Sequence, residues 1–504
     1  MDTITSIEMR ILEKNAFYLG LPPRILMESA GKSVAENVTS GKNILVVAGL
    51  GNNGGDGFVA ARYLASIGKN IDVLLIGRPD RIRSEEAREN FEILKRMEYS
   101  INIHVLTDSS MLQRYEYLFE KADVIIDAIF GTGIKGKIRE PYASVIKKIN
   151  SSKALKISVD IPSGLDPDTG EIHDICVKPD ITVTFHKVKT GLTKNRKVCG
   201  KIIVANIGIP TDAEFFVGPG DVKAVLPIRE PYSKKGDFGK ILVIGGSYKY
   251  SGAPALTGLA ALRTGADIVI IAVPSIIANT VRTYSPNLIV YPLDGEYLTK
   301  NHIDMLLKLV DKVDVVAIGP GLGLNEETKN TVIEFLSKIE IPVVVDADGL
   351  KALAGKLDIV SNKKVVLTPH AGEFKILTGI KLPNEEKNGW KKRMEIVRNE
   401  AKNLGITILL KAHYDIISNG VKVKVNRTGN PGMTVGGTGD VLTGITATFL
   451  AWNNEPFKAA VAAAFINGLA GDLVFQKKGY HILASDLIEM LPEAFSKIRE
   501  YGSS

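Results

Sequence analysis

The sequence predicts an α/β protein with two domains, each a three-layer arrangement in which helices cover both faces of a parallel sheet. The composition, with 45% hydrophobic and 24% charged residues among 504, is that of a folded chain and excludes a disordered one. Short β-branched runs alternate with longer amphipathic segments, and the runs are almost wholly apolar, as expected of strands buried on both faces. A segment rich in Pro, Gly and Asp at 209–232 interrupts this alternation once.

The first half opens with helical patterns over residues 7–38, where apolar residues recur at helix-compatible spacings. Strand-like runs separated by longer segments follow at 43–48, 71–76, 101–106, 123–130, 155–161, 181–185 and 201–205. The interruption at 209–232 predicts a domain boundary near Val217. We therefore expect a first domain over 1–216 and a second over 217–504.

The second half repeats the alternation, which again predicts a parallel sheet between helices. Its strand-like runs lie at 240–244, 267–273, 288–291, 314–318, 342–346, 364–367 and 407–410. A β-ribbon is predicted late, at 414–425, with its turn at Asn419-Gly420.

Cysteine and charge patterns restrict the classes of function. Cys176 and Cys199 cannot form a disulfide framework and lack metal-ligand spacing, which predicts a reducing, cytoplasmic location. The net charge is +7, but basic and acidic residues are interleaved, so we expect no nucleic-acid partner. We expect no signal peptide, and the apolar runs 441–452 and 459–470 are shorter than the roughly 20 residues of a membrane helix. We expect a homo-oligomer without a membrane partner.

A glycine-rich loop follows the first predicted strand. Residues 48–62 read Ala-Gly-Leu-Gly-Asn-Asn-Gly-Gly-Asp-Gly-Phe-Val-Ala-Ala-Arg, and the glycines satisfy the dinucleotide fingerprint. However, Gly77-Arg78 stand where an acidic residue would hold a ribose. Asn52, Asn53 and Asp56 also place polar groups in a turn that normally needs only small residues.

Three further loops follow strand ends in the first half, at 127–137, 159–165 and 185–191. The glycines and lysines of 127–137 suit a pyrophosphate, and side chains of several loops offer hard oxygen ligands to a cation. A lone Asp at a strand end is more often a turn former. Four such loops at the edge where open α/β sheets bind ligands instead indicate a site.

These loops resemble those of the NAD(P)H-hydrate epimerases over residues 1 to about 212, which implies a Rossmann-like domain. The shared motifs are Asn-Asn-Gly-Gly-Asp-Gly, Asp-x-x-x-Gly-Thr-Gly and Asp-Ile-Pro-Ser-Gly. The residues that this resemblance implies for substrate binding are Asn52, Asn53, Gly54, Gly55, Asp56, Gly131, Thr132, Gly133, Ile134, Lys135, Gly136, Lys137 and Asp160. Those implied for a potassium ion are Asn53, Asp127 and Ser163. Asp160 and Lys189 would be catalytic, although Lys187 competes for the role of the lysine.

The second half carries its own glycine loops. They are Gly319-Pro-Gly-Leu-Gly323, Asp346-Ala-Asp-Gly-Leu350, Thr368-Pro-His-Ala-Gly-Glu-Phe374 and Gly436-Gly-Thr-Gly-Asp-Val-Leu-Thr-Gly444. The last of them can present backbone N–H groups at a helix N-terminus to a transferring phosphoryl group. Asp440 within it can accept a proton from a substrate hydroxyl. Taken singly, Thr438 and Asp440 are expected of a capped helix, and a lone His370 is more commonly a structural histidine; the ordered set of four loops instead indicates a site.

This ordered set resembles the ribokinase-like fold, and within it the ADP-dependent NAD(P)H-hydrate dehydratases, over residues of about 228–500. The residues implied to contact the hydrated cofactor are Ala253, Gly321, Gly323, His370 and Asp440, the last of them catalytic. The residues implied to contact the adenine nucleotide are Lys411, Ala412, His413, Tyr414, Asp415, Gly436, Gly437, Thr438 and Gly439. The family often has Lys-Gly-x-x-Thr where this chain has Lys-Ala-His-Tyr-Asp at 411–415, which leaves the choice between ADP and ATP open.

Together the two resemblances imply a bifunctional enzyme for repair of hydrated NADH and NADPH. The first domain would act as an isomerase on the R and S hydrates at C6, and the second as a lyase that dehydrates the S hydrate while ADP becomes AMP and phosphate. The implied cofactors are K⁺ for the first site and Mg²⁺ with ADP for the second. Two alternatives stay open, a small-alcohol kinase with a non-catalytic Rossmann-like domain, and a scaffold that binds proteins or RNA.

Overall fold

The structure, a computed structural model, describes residues 3–133, 136–386 and 389–501. The chain divides into two compact units between Thr211 and Asp212. Each unit is built on a mainly parallel sheet, so the predicted α/β class with two units is confirmed.

The first unit contains a sheet whose strands match the predicted runs closely. The strands described in this unit are β1 (Thr3–Ile4), β2 (Asn43–Ala48), β3 (Asn70–Ile76), β4 (Ile101–Leu106), β5 (Val124–Ala128), β6 (Leu155–Val159), β7 (Ile181–Phe185), β8 (Val188–Lys189) and β9 (Lys201–Ala205). In the described residues the sheet has the order β4-β3-β2-β5-β6-β7-β9 and is parallel throughout. The order reverses between β2 and β5, and a ligand crevice forms at such a switch point.

Helices pack against the first sheet on both faces. They are α1 (Ser6–Tyr18), α2 (Pro23–Glu36), α3 (Asn52–Ser66), α4 (Glu85–Lys95), α5 (Glu116–Lys121), α6 (Tyr142–Ser151) and α7 (Thr190–Lys194). Leu45 and Val47 of β2 pack in one apolar cluster with residues of α6, while Ile44 and Val46 are buried on the opposite face. This two-sided burial is why the strands read as continuous apolar runs.

A small parallel pair, β1 with β8, lies outside that sheet, and the sequence analysis did not predict it. Ile4 pairs with Lys189 in its register. Directly after β1, Thr5 caps α1 through a capping box with Glu8, and the Ser6 hydroxyl donates to Asp168 at 2.6 Å. The start of the chain is therefore tied beside the strand that carries Lys189.

The second unit has a longer sheet with an antiparallel edge. Its strands are β10 (Lys240–Ile244), β11 (Ile268–Pro274), β12 (Ile289–Leu293), β13 (Val315–Ile318), β14 (Val343–Val345), β15 (Val365–Leu367), β16 (Thr407–Leu410), β17 (Asp415–Ser418) and β18 (Val423–Asn426). Among the described residues the order is β12-β11-β10-β13-β14-β15-β16-β17-β18. The pair β17–β18 is antiparallel, which confirms the predicted ribbon. The Val217 backbone N–H donates to the Val425 carbonyl at 2.9 Å, so Val217 is hydrogen-bonded within this unit.

The helices of the second unit form two layers over that sheet. They are α8 (Thr211–Phe215), α9 (Pro219–Lys223), α10 (Gly252–Thr264), α11 (Ser275–Tyr284), α12 (Ile303–Val310), α13 (Glu326–Lys338), α14 (Asp348–Ala352), α15 (Ala371–Thr378), α16 (Gly389–Leu404), α17 (Thr438–Ala451), α18 (Pro456–Lys478) and α19 (Ala484–Glu500). Ile241 and Val243 face one apolar cluster, and Leu242 and Ile244 the other, because side chains alternate along a strand.

Helix α18 is longer than the apolar run 459–470 suggested. In the part of the chain that the structure describes, it is the one helix with the length and composition to cross a membrane. Its most apolar window is 78% buried inside the protein. This burial accounts for the composition of α18, because a helix that protein surrounds on all sides is apolar on all sides.

Candidate active sites

The first candidate site lies where β2 and β5 end. Helix α3 begins directly after Gly51, so Asn52 and Asn53 form its first turn. A Cβ atom at Gly49 would lie 2.1 Å from the Ile129 carbonyl oxygen, so only glycine lets the two loops approach this closely. Two of the sequence-predicted loops therefore meet, and the glycine serves backbone packing.

Asp127 and Ser163 form the buried polar centre of this site. The Ser163 hydroxyl donates to Asp127 Oδ1 at 2.6 Å, and the Ser163 backbone N–H and the Ser158 hydroxyl donate to Oδ2 at 2.9 and 2.7 Å. Burial raises the pKa of Asp127, while these hydrogen bonds act in the opposite direction. The buried Asn53 side chain faces the Gly131 loop, and its Nδ2 has no hydrogen-bond partner.

Asp160 and Lys189 form a buried ion pair at the same sheet edge. Lys189 is fully buried, and its Nζ donates to Asp160 Oδ1 at 2.5 Å and to the Phe185 carbonyl at 2.8 Å. Asp160 has a φ of 63°, a left-handed conformation that a residue other than glycine rarely adopts. Such backbone strain is characteristic of functional sites. Lys189, one of the two candidate lysines, thus contacts Asp160 directly.

Two further carboxyl groups interact with this pair, and the sequence analysis assigned no role to the first of them. Glu13 on α1 is one of them: the surrounding protein raises its pKa, while the charge of Lys189 acts to lower it and that of Asp160 to raise it. Burial also raises the pKa of Asp56, and the charges of Asp160 and Glu13 add to the effect. A single acidic residue on an amphipathic helix gives no sequence signal of a functional role. The pairing of β1 with β8 places the start of the chain beside Lys189, and α1, which carries Glu13, follows directly.

The other predicted substrate residues differ in exposure. Gly54 and Gly55 are buried in α3, whereas Asn52 is exposed. In the next loop, Gly131 and Thr132 are half-buried and Gly133, Gly136 and Lys137 are exposed. Ile134 and Lys135 lie outside the described residues.

The second candidate site lies at the carboxyl edge of the second sheet. A Cβ atom at Gly321 would lie 3.3 Å from Ala253 Cβ, so these two predicted substrate residues adjoin. The Gly323 backbone N–H donates to Asp348 Oδ2 at 2.9 Å. The loops after β13 and β14 are thereby joined, as their positions at adjacent strand ends predict.

His370 caps helix α15. Its Nδ1 accepts hydrogen bonds from the backbone N–H groups of Gly372 and Glu373 at 3.0 and 3.2 Å. In return, the Glu373 carboxylate accepts a hydrogen bond from the backbone N–H of His370. Because Nδ1 is an acceptor, the proton of a neutral ring is on Nε2. The His370 side chain is 57% exposed, and its Nε2 lies 3.5 Å from a carboxylate oxygen of Glu373. The structural role weighed from the sequence and the predicted binding role are compatible.

Asp440 lies in the first turn of α17, as predicted, directly after Gly439. Its pKa is raised to about 7, chiefly by burial and also by the charges of Asp346 and Asp348, while Lys411 acts to lower it. A carboxyl group with a pKa close to neutrality is suited to accept a proton during a reaction at neutral pH. Of the preceding loop, Gly436 is exposed and Gly437 and Thr438 are half-buried.

The predicted nucleotide segment 411–415 follows β16. The Lys411 Nζ donates to Asp346 at 2.7 Å, and Asp415 Oδ1 accepts the Ala412 N–H at 3.0 Å. Burial raises the pKa of Asp415 to about 6. His413 and Tyr414 stack edge to face with ring centroids 4.7 Å apart. In this chain an Asp thus stabilises the loop from within, at the position where the resembled family has Thr.

Comparison with known proteins agrees with this two-site architecture. The family profile described as NAD(P)H-hydrate dehydratase matches residues 241–493, and that described as YjeF-related protein N-terminus matches residues 23–191. Over 97% of its own length, a solved ribokinase-like superfamily protein from Enterococcus faecalis V583 aligns with 57% of this chain, at 26% identity and a TM-score of 0.50. The second unit is therefore a ribokinase-like domain.

Full-length relatives define the family. The bifunctional NAD(P)H-hydrate repair enzyme of Pyrobaculum aerophilum is 48% identical, with 100% of this chain and 99% of that protein covered. That of Archaeoglobus fulgidus is 44% identical, with coverages of 99% and 100%. The chain belongs to the bifunctional NAD(P)H-hydrate repair enzymes.

Proposed function

We propose that the protein converts hydrated NADH and NADPH back to NADH and NADPH. Residues 1–216 would act as an epimerase and residues 217–504 as an ADP-dependent dehydratase. The observation that carries this proposal is the presence of two separate acid–lysine centres in one chain. One is the buried pair of Asp160 and Lys189, and the other is Asp440 beside Lys411 at the start of α17.

In the dehydratase, the hydroxyl at C6 of the S hydrate attacks the terminal phosphorus of ADP, and Asp440 takes the hydroxyl proton. The new oxygen–phosphorus bond forms as the bond to the AMP oxygen breaks. The C6–oxygen bond then breaks, phosphate leaves, and loss of a proton from C5 restores the ring double bond. Mg²⁺ enters with the nucleotide, on whose phosphates such ions usually bind.

In the epimerase, the carbinolamine at C6 inverts by ring opening and reclosure or by loss and return of hydroxide. Both routes need one group that accepts a proton and one that donates it near C6. Asp160 and Lys189 supply such a pair, because the Asp160 carboxyl oxygen accepts a hydrogen bond from the Lys189 amine. The buried setting strengthens their interaction compared with water.

The residues present fit a potassium ion in the epimerase site. Asn53, Asp127 and Ser163 are all buried and offer oxygen ligands with one formal charge, and the Asn53 side-chain oxygen faces the Gly131 loop. In the described residues no group of three His, Cys, Asp or Glu side chains is suited to a metal ion. A weakly charged oxygen set favours a monovalent cation over a divalent one. Bound there, K⁺ would offset part of the negative charge of the substrate's pyrophosphate.

We therefore expect a monovalent cation to be detectable at this position. Soaking crystals with Tl⁺ or Rb⁺ should give an anomalous peak next to Asp127, and the Asp127→Asn variant should lose it. The matched control is the Asp123→Asn variant, which changes the exposed carboxylate that directly precedes β5. Absence of a peak near Asn53, Asp127 and Ser163 in the wild-type crystal would refute the assignment.

The rate of dehydration should rise with pH through about 7, because Asp440 has a pKa of about 7 and accepts a proton only when ionised. Below that pH the rate should fall about tenfold per pH unit. Single-turnover dehydration measured against pH tests this. A rate independent of pH between about 5 and 8 would contradict a basic role for Asp440.

The function itself is tested by incubating the purified chain with the two NADH hydrate epimers, with and without ADP. We expect interconversion of the epimers without nucleotide, and NADH with equimolar AMP and phosphate when ADP is added. A stable phosphorylated product from a small alcohol would instead support the kinase alternative.

The two free, buried cysteines, Cys176 and Cys199, support the proposed reducing, cytoplasmic location. We also propose that the enzyme acts as a homo-oligomer.

A further inference from the structure

A buried carboxylate joins three elements at the dehydratase site. Asp346, only 1% exposed, follows β14, and one of its oxygens accepts a hydrogen bond from Lys411 Nζ at 2.7 Å. The other oxygen accepts the Thr443 hydroxyl of α17 at 2.8 Å. Both carboxylate oxygens are thus engaged, and the ends of β14 and β16 are linked to the first turns of α17.

The backbone next to Asp346 takes an unusual conformation. Ala347 has φ 50° and ψ −118°, which residues other than glycine rarely adopt. Ala347 lies between two acidic residues with different partners. Asp346 accepts a hydrogen bond from Lys411, and Asp348 accepts one from the Gly323 backbone N–H. Such an outlier persists only where surrounding contacts determine it.

The contact with Asp346 defines where the Lys411 ammonium lies. A Cβ atom at Gly439, the second residue of α17, would be 3.2 Å from Lys411 Nζ. A helix N-terminus carries partial positive charge and disfavours an ammonium group unless an anion is near. Asp346 supplies that anion inside the protein. The Lys411 side chain is 22% exposed, so it is still accessible to a bound phosphate.

We propose that Asp346 is a positioning residue, which holds Lys411 Nζ at the N-terminus of α17 so that the ammonium neutralises charge on the phosphoryl group being transferred. This inference rests on the proposed dehydratase function and extends it, because Lys411 then acts through its side chain. As phosphorus passes from the AMP oxygen to the C6 oxygen, Lys411 stays protonated throughout. The proton of the substrate hydroxyl goes to Asp440.

The charges around the two groups predict a signature in the pH profile. Asp346, Asp348 and Lys411 act on Asp440, and removal of the negative charge of Asp346 lowers the pKa of Asp440. Burial alone would lower the pKa of Lys411, but Asp346, Glu373 and Asp440 raise it. Loss of the Asp346 charge therefore moves both titrations to lower pH. A purely structural role would lower the rate and leave the profile in place.

The test compares Asp346→Asn and Lys411→Met with the double variant, using single-turnover dehydration with ADP. We expect each single variant to lose about 100-fold or more in rate, as when one preorganised donor at a transition state is removed. The double variant should be little worse than the poorer single one, because the two residues act as a unit. The acidic limb should move to lower pH in Asp346→Asn. Thr443→Val, compared with Thr443→Ser, tests the third contact and should weaken dehydration only in the valine variant.

Each outcome decides the proposal. Additive losses, an unchanged pH profile in Asp346→Asn, or recovery of its rate by excess Mg²⁺ would overturn it. If Asp346→Asn does not fold, Gly439→Ala keeps the charge of Asp346 but displaces Lys411 Nζ, and it should lower the rate without moving the acidic limb. A Gly439→Ala variant with the wild-type rate would overturn the proposal too. Failure of the wild-type chain to dehydrate would refute the proposed function instead.

Discussion

Replacement of Asp440 by asparagine is expected to abolish ADP-dependent dehydration and to leave epimerisation unchanged. The amide preserves the shape of the carboxyl group but cannot take the proton of the C6 hydroxyl. Loss of a positioned base costs on the order of 100- to 10,000-fold in rate. Formation of NADH from the S hydrate with ADP measures the loss, and interconversion of the epimers in the same sample measures the first activity.

A matched acid distinguishes chemistry from helix capping. Asp486 also lies in the first turn of a helix of the second unit, α19, where it accepts the Leu483 N–H at 2.9 Å and pairs with Lys478. Asp486→Asn should affect thermal stability but not the rate of dehydration. If Asp440→Asn dehydrates at the normal rate, Asp440 has no part in the proton transfer.

Replacement of Asp160 by alanine is expected to divide a mixed pool of hydrates into a fraction that is repaired and a fraction that is not. In-line phosphoryl transfer requires a defined position of the C6 oxygen, and misplacement by about 1 Å can cost on the order of 100-fold. The dehydratase should therefore accept one epimer. With ADP, the wild-type chain should consume the whole pool, whereas Asp160→Ala should stop near the initial fraction of the good epimer, apart from slow spontaneous interconversion.

Two lysine variants serve as a matched pair for this experiment. Lys189→Met removes the ammonium that contacts Asp160, and it should stop consumption at the same point. Lys187→Met changes a neighbouring lysine and should consume the full pool. Complete consumption by Asp160→Ala would leave two explanations, which incubation of this variant with one purified epimer in the absence of ADP resolves. Rapid interconversion of the epimers would remove Asp160 from the epimerase, and its absence would show that the dehydratase does not discriminate.

The sequence predicted the central strands well because they are buried on both faces. In such strands apolar character extends over the whole run, so the bounds are visible without tertiary information. The run at 43–48 became β2 (Asn43–Ala48) and that at 407–410 became β16 (Thr407–Leu410). The short pair β1–β8 was missed, since two-residue strands are too short to show a period.

The sequence also determined that the glycine loops gather at sheet edges, because parallel strands all end on the same side. It did not determine which side chains meet there. Lys187 and Lys189 have the same parity along the chain, so alternation alone cannot separate them. The pairing of Lys189 with Ile4 in the β1–β8 register accompanies its burial against Asp160.

Only the tertiary structure decided the partners of the buried charges. Asp346 is 65 residues from Lys411 and 97 from Thr443 in the chain, and the order of β14, β15 and β16 with α17 brings the three together. Glu13 likewise interacts with Asp160 from a helix at the start of the chain. The residue types and loop positions are local properties that the sequence carries. The pairing and pKa of a buried charge depend on neighbours remote in the chain, because desolvation and Coulomb energy depend on distance in space.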